Sequence, residues 1–112
     1  LHGEAFNFGP SISANYSVQE IVLEMSKYWE KVKWESDLET NFPESGLLKL
    51  NCDKASMMLN WQSFLPFDET IRFTIEWYKE FFDNSSNIEE KSINQIIEYV
   101  SLACKESMDW VK

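Results

Sequence analysis

Residues 68 to 82 most constrain what this chain can fold into. They run Asp-Glu-Thr-Ile-Arg-Phe-Thr-Ile-Glu-Trp-Tyr-Lys-Glu-Phe-Phe. At helical spacing this segment carries two apolar stripes, Ile71-Ile75-Tyr78-Phe82 and Phe73-Trp77-Phe81. A helix on the surface of a globular domain buries one stripe. Two stripes require cover on two sides, either from the rest of this chain or from a partner lobe. Asp68 is the expected N-cap of this helix.

The other elements follow from local signals. Ser17-Val18-Gln19-Glu20 is a capping box, in which the serine hydroxyl accepts from the amide three residues on and the glutamate reaches back. The helix it opens places Val18, Ile21, Val22, Met25, Trp29 and Val32 on one face, and Glu24 and Lys27 stand at a favourable spacing beside it. Short strands are expected over Glu4–Phe8, Val32–Glu35 and Leu47–Asn51, with a βαβ-type unit spanning the first two. Asn51 or Asp53 caps a short helix ending near Asn60, and residues 36–46, with Pro43 and Gly46, form a loop. Asp83 to Lys91 is a polar linker. Ser92-Ile93-Asn94-Gln95 is a second capping box, opening a last helix with Ile93, Ile96, Ile97, Val100 and Cys104 on one face. The expected fold class is therefore α/β: a small helix-rich lobe with short strands and about four helices.

The totals bound the function. At 112 residues the chain is one domain by size. A formal net charge of −9 repels phosphate backbones, which argues against nucleic-acid binding. No apolar run has the length of a membrane span. Cys52 and Cys104 are distant in sequence and read as two free thiols in a reducing cytoplasm. No His, Cys or carboxylate spacing makes a metal site. The absence of an initiator methionine and of any secretory leader suggests a chain cut from something longer.

Three markers in fixed order carry a family resemblance: Gly3-Glu4-Ala5-Phe6-Asn7-Phe8-Gly9-Pro10, then Glu44 through Trp61 with its Lys54-Ala55 pair and Leu59-Asn60-Trp61 turn, then Thr74-Ile75-Glu76-Trp77-Tyr78. Together they resemble the C-terminal, substrate-side lobe of the extended short-chain dehydrogenases/reductases acting on nucleotide sugars, and within them the CDP-glucose 4,6-dehydratases. Ser92 to Tyr99 resembles a late segment of the same lobe. The sequence departs from the family pattern at Asn51, where Asp is usual, at Asp53, where Ser is usual, and at Asn60, where Gly is usual. Pro43 stands where His is frequent. Asn41 stands where many extended reductases carry an arginine that reaches the nucleotide phosphates.

The resemblance implies a lobe that binds the nucleotide-sugar substrate. It points to Asn41 and Glu44 as hydrogen-bonding partners of base or ribose. Asn7 either orients the loop before Pro10 or touches the ligand. The family's chemistry takes a hydride from C4 of the sugar onto NAD, expels water across C5 and C6, and returns the hydride to C6. That work requires a glycine-rich dinucleotide loop and a Tyr-x-x-x-Lys pair. Neither is present: Tyr16, Tyr28, Tyr78 and Tyr99 are followed four positions on by Glu20, Val32, Phe82 and Ala103. NAD is accordingly expected on an N-terminal Rossmann domain outside residues 1–112. No catalytic residue is assigned within them, and a homo-oligomeric parent protein is expected. The readings that compete are the same lobe from another nucleotide-sugar epimerase or dehydratase, and a stand-alone, non-catalytic interaction module.

Overall fold

The computed structural model describes residues 2–11, 13–35 and 49–112. Helix α1 spans Val18–Ser26, α2 Asp53–Leu59, α3 Phe67–Asp83 and α4 Ile88–Lys105, with 3-10 turns at Ser85–Asn87 and Asp109–Val111. No strand occurs among the described residues. The α/β expectation is thereby corrected to an all-helical one. Glu4–Phe8 and Val32–Glu35 are extended or irregular without a ladder, and the described part of the third expected strand, Lys49–Asn51, is irregular too. The physical reason is visible in what holds these segments. Asn7 and Lys54 bind neighbouring carbonyls through side chains, at 3.3 Å to Asn51 and 3.0 Å to Ala5, where a ladder would use backbone amides.

Helix α1 begins as its capping box dictates. Ser17 Oγ accepts from the Glu20 amide at 3.2 Å, and Glu20 accepts from the Ser17 amide at 2.7 Å. These bonds to Ser17 hold the Glu20 carboxyl below its ordinary range. The helix stops at Ser26, six residues before the apolar stripe ends. Ser26 Oγ donates to the Leu23 carbonyl at 2.7 Å, the local competition with the helix ladder that serine brings. Tighter turns then carry Tyr28 and Val32 onward, bonded to Met25 and Trp29. Ile21, Val22, Met25, Trp29 and Val32 are all half-buried, so the stripe faces inward despite the early stop, except at Val18 in the first turn, which is exposed.

Helix α3 is the structural centre. Asp68 is not its N-cap as expected: Pro66 takes that position, and Asp68 lies with Glu69 in the first turn, where their charge is favourable beside the positive end of the helix dipole. α1 packs on one side and α4 on the other. Ile71 and Ile75 are buried between them. Trp29 meets Phe82 with ring centroids 5.8 Å apart, and Tyr16 stacks on Phe67 at 3.7 Å.

The second capping box is overturned. α4 starts four residues before Ser92, and Ser92 lies inside it. Its hydroxyl donates back to the Ile88 carbonyl at 2.7 Å and accepts from Trp77 Nε1 at 2.9 Å. Gln95 Nε2 donates to the Phe73 carbonyl at 2.7 Å rather than capping anything. The residues that meet α3 are thus Ser92, Gln95 and the ion-pairing Lys91 and Glu98. The apolar stripe Ile93, Ile96, Ile97, Val100 is exposed.

Ionic contacts reinforce the α3–α4 seam. Arg72 donates to Glu69 at 2.8 Å, to Glu76 at 3.2 Å and to Glu98 at 2.6 Å, and Lys91 donates to Glu76 at 2.9 Å. Hydrogen bonding to Glu69 first, then to Glu98 and Glu76, raises the Arg72 pKa and keeps it charged. Burial pushes the Glu76 carboxyl up, but bonds from Lys91 and Arg72 outweigh it and leave it below the ordinary range.

Two outcomes follow from this packing. Ile75→Ala should cost about 2–4 kcal/mol in urea unfolding, whereas Ile97→Ala should stay within about 0.5 kcal/mol. Glu76 has a depressed folded pKa, so its contribution is present above its unfolded pKa and is lost as pH falls through the folded one. Melting temperature followed downward from pH 7 should therefore drop in the acid range, and Glu76→Gln should flatten that drop.

Candidate functional site

A groove of about 260 Å³ opens where two of the three sequence markers meet. Gly9, Pro10 and Ser11 form one wall, Leu50 to Asp53 the second, and Ser56 with Trp61 to Ser63 the third. The local chemistry explains why these segments converge. Asn51 makes an Asx turn: its Oδ1 accepts from the Asp53 amide at 2.8 Å, and its Nδ2 donates to the Asp53 carboxylate at 3.0 Å. That turn feeds α2, whose Ala55 is fully buried. α2 then ends at Asn60 in the left-handed region, φ 52°. Asparagine tolerates this conformation better than most residues. The Trp61 amide returns to the Ala55 carbonyl at 3.3 Å, and its ring meets Phe8 edge-on at 4.9 Å.

The N-terminal wall is tied down from outside the groove. Lys54 Nζ pairs with the Glu4 carboxylate, donates to the Ala5 carbonyl at 3.0 Å, and lies 4.9 Å over the Phe6 ring. Asn7 Nδ2 donates to the Asn51 carbonyl at 3.3 Å. Gly9 sits close to the facing segment, where an added Cβ would stand 3.6 Å from Cys52 Sγ. A second, polar hollow of about 300 Å³ adjoins the first through Ser56 and Gln62 and continues to Asn60, Ser107, Met108 and Asp109.

The groove presents hydroxyls from Ser11, Ser56 and Ser63, amides from Asn51 and Gln62, the Asp53 carboxylate and one apolar wall at Leu50 and Trp61. Among the described residues its lining has no cationic side chain. Among the described residues no cluster of His, Cys, Asp and Glu is arranged to hold a metal ion, and no helix is long and apolar enough to cross a membrane. The arrangement suits hydrogen bonding to a neutral polyol.

Of the residues singled out by sequence, Asn7 lies just behind the groove, its amide committed to Asn51. Asn41 and Glu44 lie outside the described residues. Sequence reasoning did not find Ser11, Ser56, Gln62 and Ser63 as wall residues. Isolated serines and a glutamine in connectors carry no periodic signal. Nor did it find the aromatic cluster behind them, where Tyr99 stacks on Trp110 at 5.6 Å and meets Phe64 at 4.9 Å. Burial pushes the Tyr99 phenol up, partly offset by a hydrogen bond with Trp61.

Fold and groove together define a small four-helix domain with an open polar groove at the α2 end. Over 77 residues, 68% of its length, the chain is 35% identical to the CDP-glucose 4,6-dehydratase of Salmonella typhimurium. It spans 21% of that curated relative's length. No family model matches the chain, and no solved structure matches it.

Removing the Lys54 tie tests how the wall is held. Lys54→Ala should speed amide hydrogen exchange across residues 5–9 severalfold. It should cost no more than about 1 kcal/mol in global stability, because the ion pair is solvent-exposed.

Proposed function

We propose that this chain is the substrate-side lobe of a CDP-glucose 4,6-dehydratase-like protein, and that the groove is part of the wall around a nucleotide sugar. The observation that carries the reading is the 77-residue likeness to the Salmonella enzyme. It is supported by the groove, which is built from the Gly9-Pro10 and Leu50–Trp61 markers and not from unrelated surface. Serine hydroxyls and carboxamides suit sugar hydroxyls. Asn41 and Glu44 would meet the base or ribose, and Asn7 would fix the Asn51 turn from behind.

The groove does not suit the charge of a pyrophosphate. Its lining is neutral or acidic, and Lys54 is engaged by Glu4 and Ala5. In this reading the phosphates are met by an N-terminal dinucleotide-binding domain. NAD does not fit the residues described here: there is no strand feeding a helix through a glycine-rich turn. No redox step is assigned to this lobe. The exposed apolar face of α4 favours a lobe that works inside a larger assembly over a stand-alone module.

The test is turnover by the natural protein that carries this chain, supplied with NAD and, in separate arms, CDP-, UDP-, GDP- and dTDP-glucose. Formation of a 4-keto-6-deoxy sugar from CDP-glucose, with a raised KM in Glu44→Ala, is the expected outcome. Conversion of another nucleotide sugar in preference would make this the lobe of a different epimerase or dehydratase. No conversion of any of the four would overturn the reading.

A further inference from the structure

Two helices end against the same hollow, and they end in the same way. α2 closes at Asn60 with φ 52°, and the turn after α4 reverses at Ser107 with φ 56°. The Met108 amide returns to the Ala103 carbonyl at 3.0 Å, as the Trp61 amide returns to Ala55. Glycine is the residue that ordinarily makes this closure. Asn60 and Ser107 are the two non-glycine residues with positive φ among the described residues. Both line the second hollow, together with Ser56, Gln62, Met108 and Asp109. Side chains kept on left-handed backbone cluster at ligand clamps. Here they set a carboxamide and a hydroxyl on the rim of one cavity.

The lining of this hollow is uncommitted. The hydroxyls of Ser26, Thr70, Thr74 and Ser92 each donate to a carbonyl one helical turn back. Ser56 also lies in a helix and is half-buried, yet its hydroxyl bonds to no other described residue. The same holds for the Ser107 hydroxyl and for the Asn60 and Gln62 carboxamides. Lys112 donates to Asp109 Oδ1, which leaves Oδ2 to accept from elsewhere. Hydroxyls and carboxamides both donate and accept, and a carboxylate accepts only. A sugar hydroxyl can satisfy every one of these groups. A phosphate would face Asp109 here and Asp53 in the adjoining groove, and like charge repels it. Among the described residues no aromatic side chain lines the hollow, so a nucleobase has nothing to stack on.

Ser56 and Gln62 line both hollows, so the two form one cleft with these residues at its waist. Alone, about 260 Å³ and about 300 Å³ are small for a ligand site. Joined, they fall inside the range of roughly 300–1,000 Å³ usual for one. Asp109 is held by the turn behind it, where Trp110 stacks on Tyr99 at 5.6 Å. We infer that the second hollow is a subsite for sugar hydroxyls. The cleft then takes an uncharged ligand of two linked sugar rings, one in each hollow, with Ser56 and Gln62 at the linkage. Linking two weak contacts raises affinity without a new contact. The inference goes beyond the nucleotide-sugar reading and does not rest on it, because this ligand carries neither base nor phosphate.

Maltose, glucose and glucose 1-phosphate titrated into the full, isotopically labelled chain, with backbone amides followed by NMR, read it directly. Maltose should shift the amides of Ser56, Asn60, Gln62, Ser107 and Asp109 together with those of Ser11 and Asn51. It should bind at least about tenfold tighter than glucose. Glucose 1-phosphate should bind more weakly than glucose. Asn60→Gly and Ser107→Gly separate binding from folding. Glycine takes this backbone freely, so each variant should melt no lower than the natural chain. Each should still weaken maltose about fivefold, the loss of one hydrogen bond. Gln62→Ala, at an exposed position outside any helix, should weaken it similarly. Shifts confined to the first hollow, or no shifts, overturn the inference. So do maltose affinity no better than that of glucose, tighter binding of glucose 1-phosphate, or full maltose binding by all three variants. Turnover of nucleotide sugars stands or fails separately, since none of these probes carries a nucleotide.

Discussion

The constraint on which the rest depends is that α3 must be covered along two stripes at once. Its burial is lopsided: Ile71 and Ile75 are sealed, while Tyr78 and Phe82 stay half-open or more. α1, through its half-buried aliphatic face, and the turns after it, through Trp29, cover one side, and α4 covers the other. Alanine and isoleucine alone make up the fully buried apolar set among the described residues, Ala55 and Ala103 with Ile71 and Ile75. With so little apolar volume sealed, polar links at the α3–α4 seam carry specificity that a larger core would supply by packing.

Those polar links decide the rotation of α4. The indole N–H of Trp77 sits in a half-buried seam and needs an acceptor. Leaving such a donor unpaired costs about 1–3 kcal/mol. Using Ser92 as an N-cap would gain about 1 kcal/mol. The indole wins, the helix begins four residues earlier, and the cap position falls to Asn87 without a side-chain bond. Once Ser92 and Gln95 face α3, the helical repeat of 100° per residue sends Ile93, Ile96 and Ile97 outward. The exposed stripe is thus a consequence of one hydrogen bond chosen over another.

This is also where the sequence was legible and where it was not. The capping box at Ser17, most of the inward face of α1 and the short helix after Asn51 were readable, because each rests on contacts within a few residues or on strong periodicity. The strands were misread. Short apolar runs such as Glu4–Phe8 look alike whether they pair in a ladder or are pinned by side chains, and Lys54 pinning Glu4 and Ala5 is a contact fifty residues away. The apolar stripe of α4 was legible but not its exposure, because periodicity finds a stripe without saying what covers it. The groove's serines were invisible for want of any pattern, while its Gly9, Leu50–Asp53 and Trp61 walls were marked by the resemblance.

The chemistry of the groove sets the division of labour. A nucleotide sugar presents an uncharged polyol at one end and a dianionic pyrophosphate in the middle. The hydroxyl and carboxamide lining here can exchange hydrogen bonds with the first without net charge. The Asp53 carboxylate and the overall charge of −9 disfavour the second. A lobe like this would gain affinity for sugar hydroxyls only where another surface compensates the phosphates. The Asn51 turn, held from behind by Asn7 and closed by Trp61 against Phe8, fixes the geometry of the lining with short-range contacts. Rigidity in this wall thus comes from contacts that carry no net positive charge into the groove.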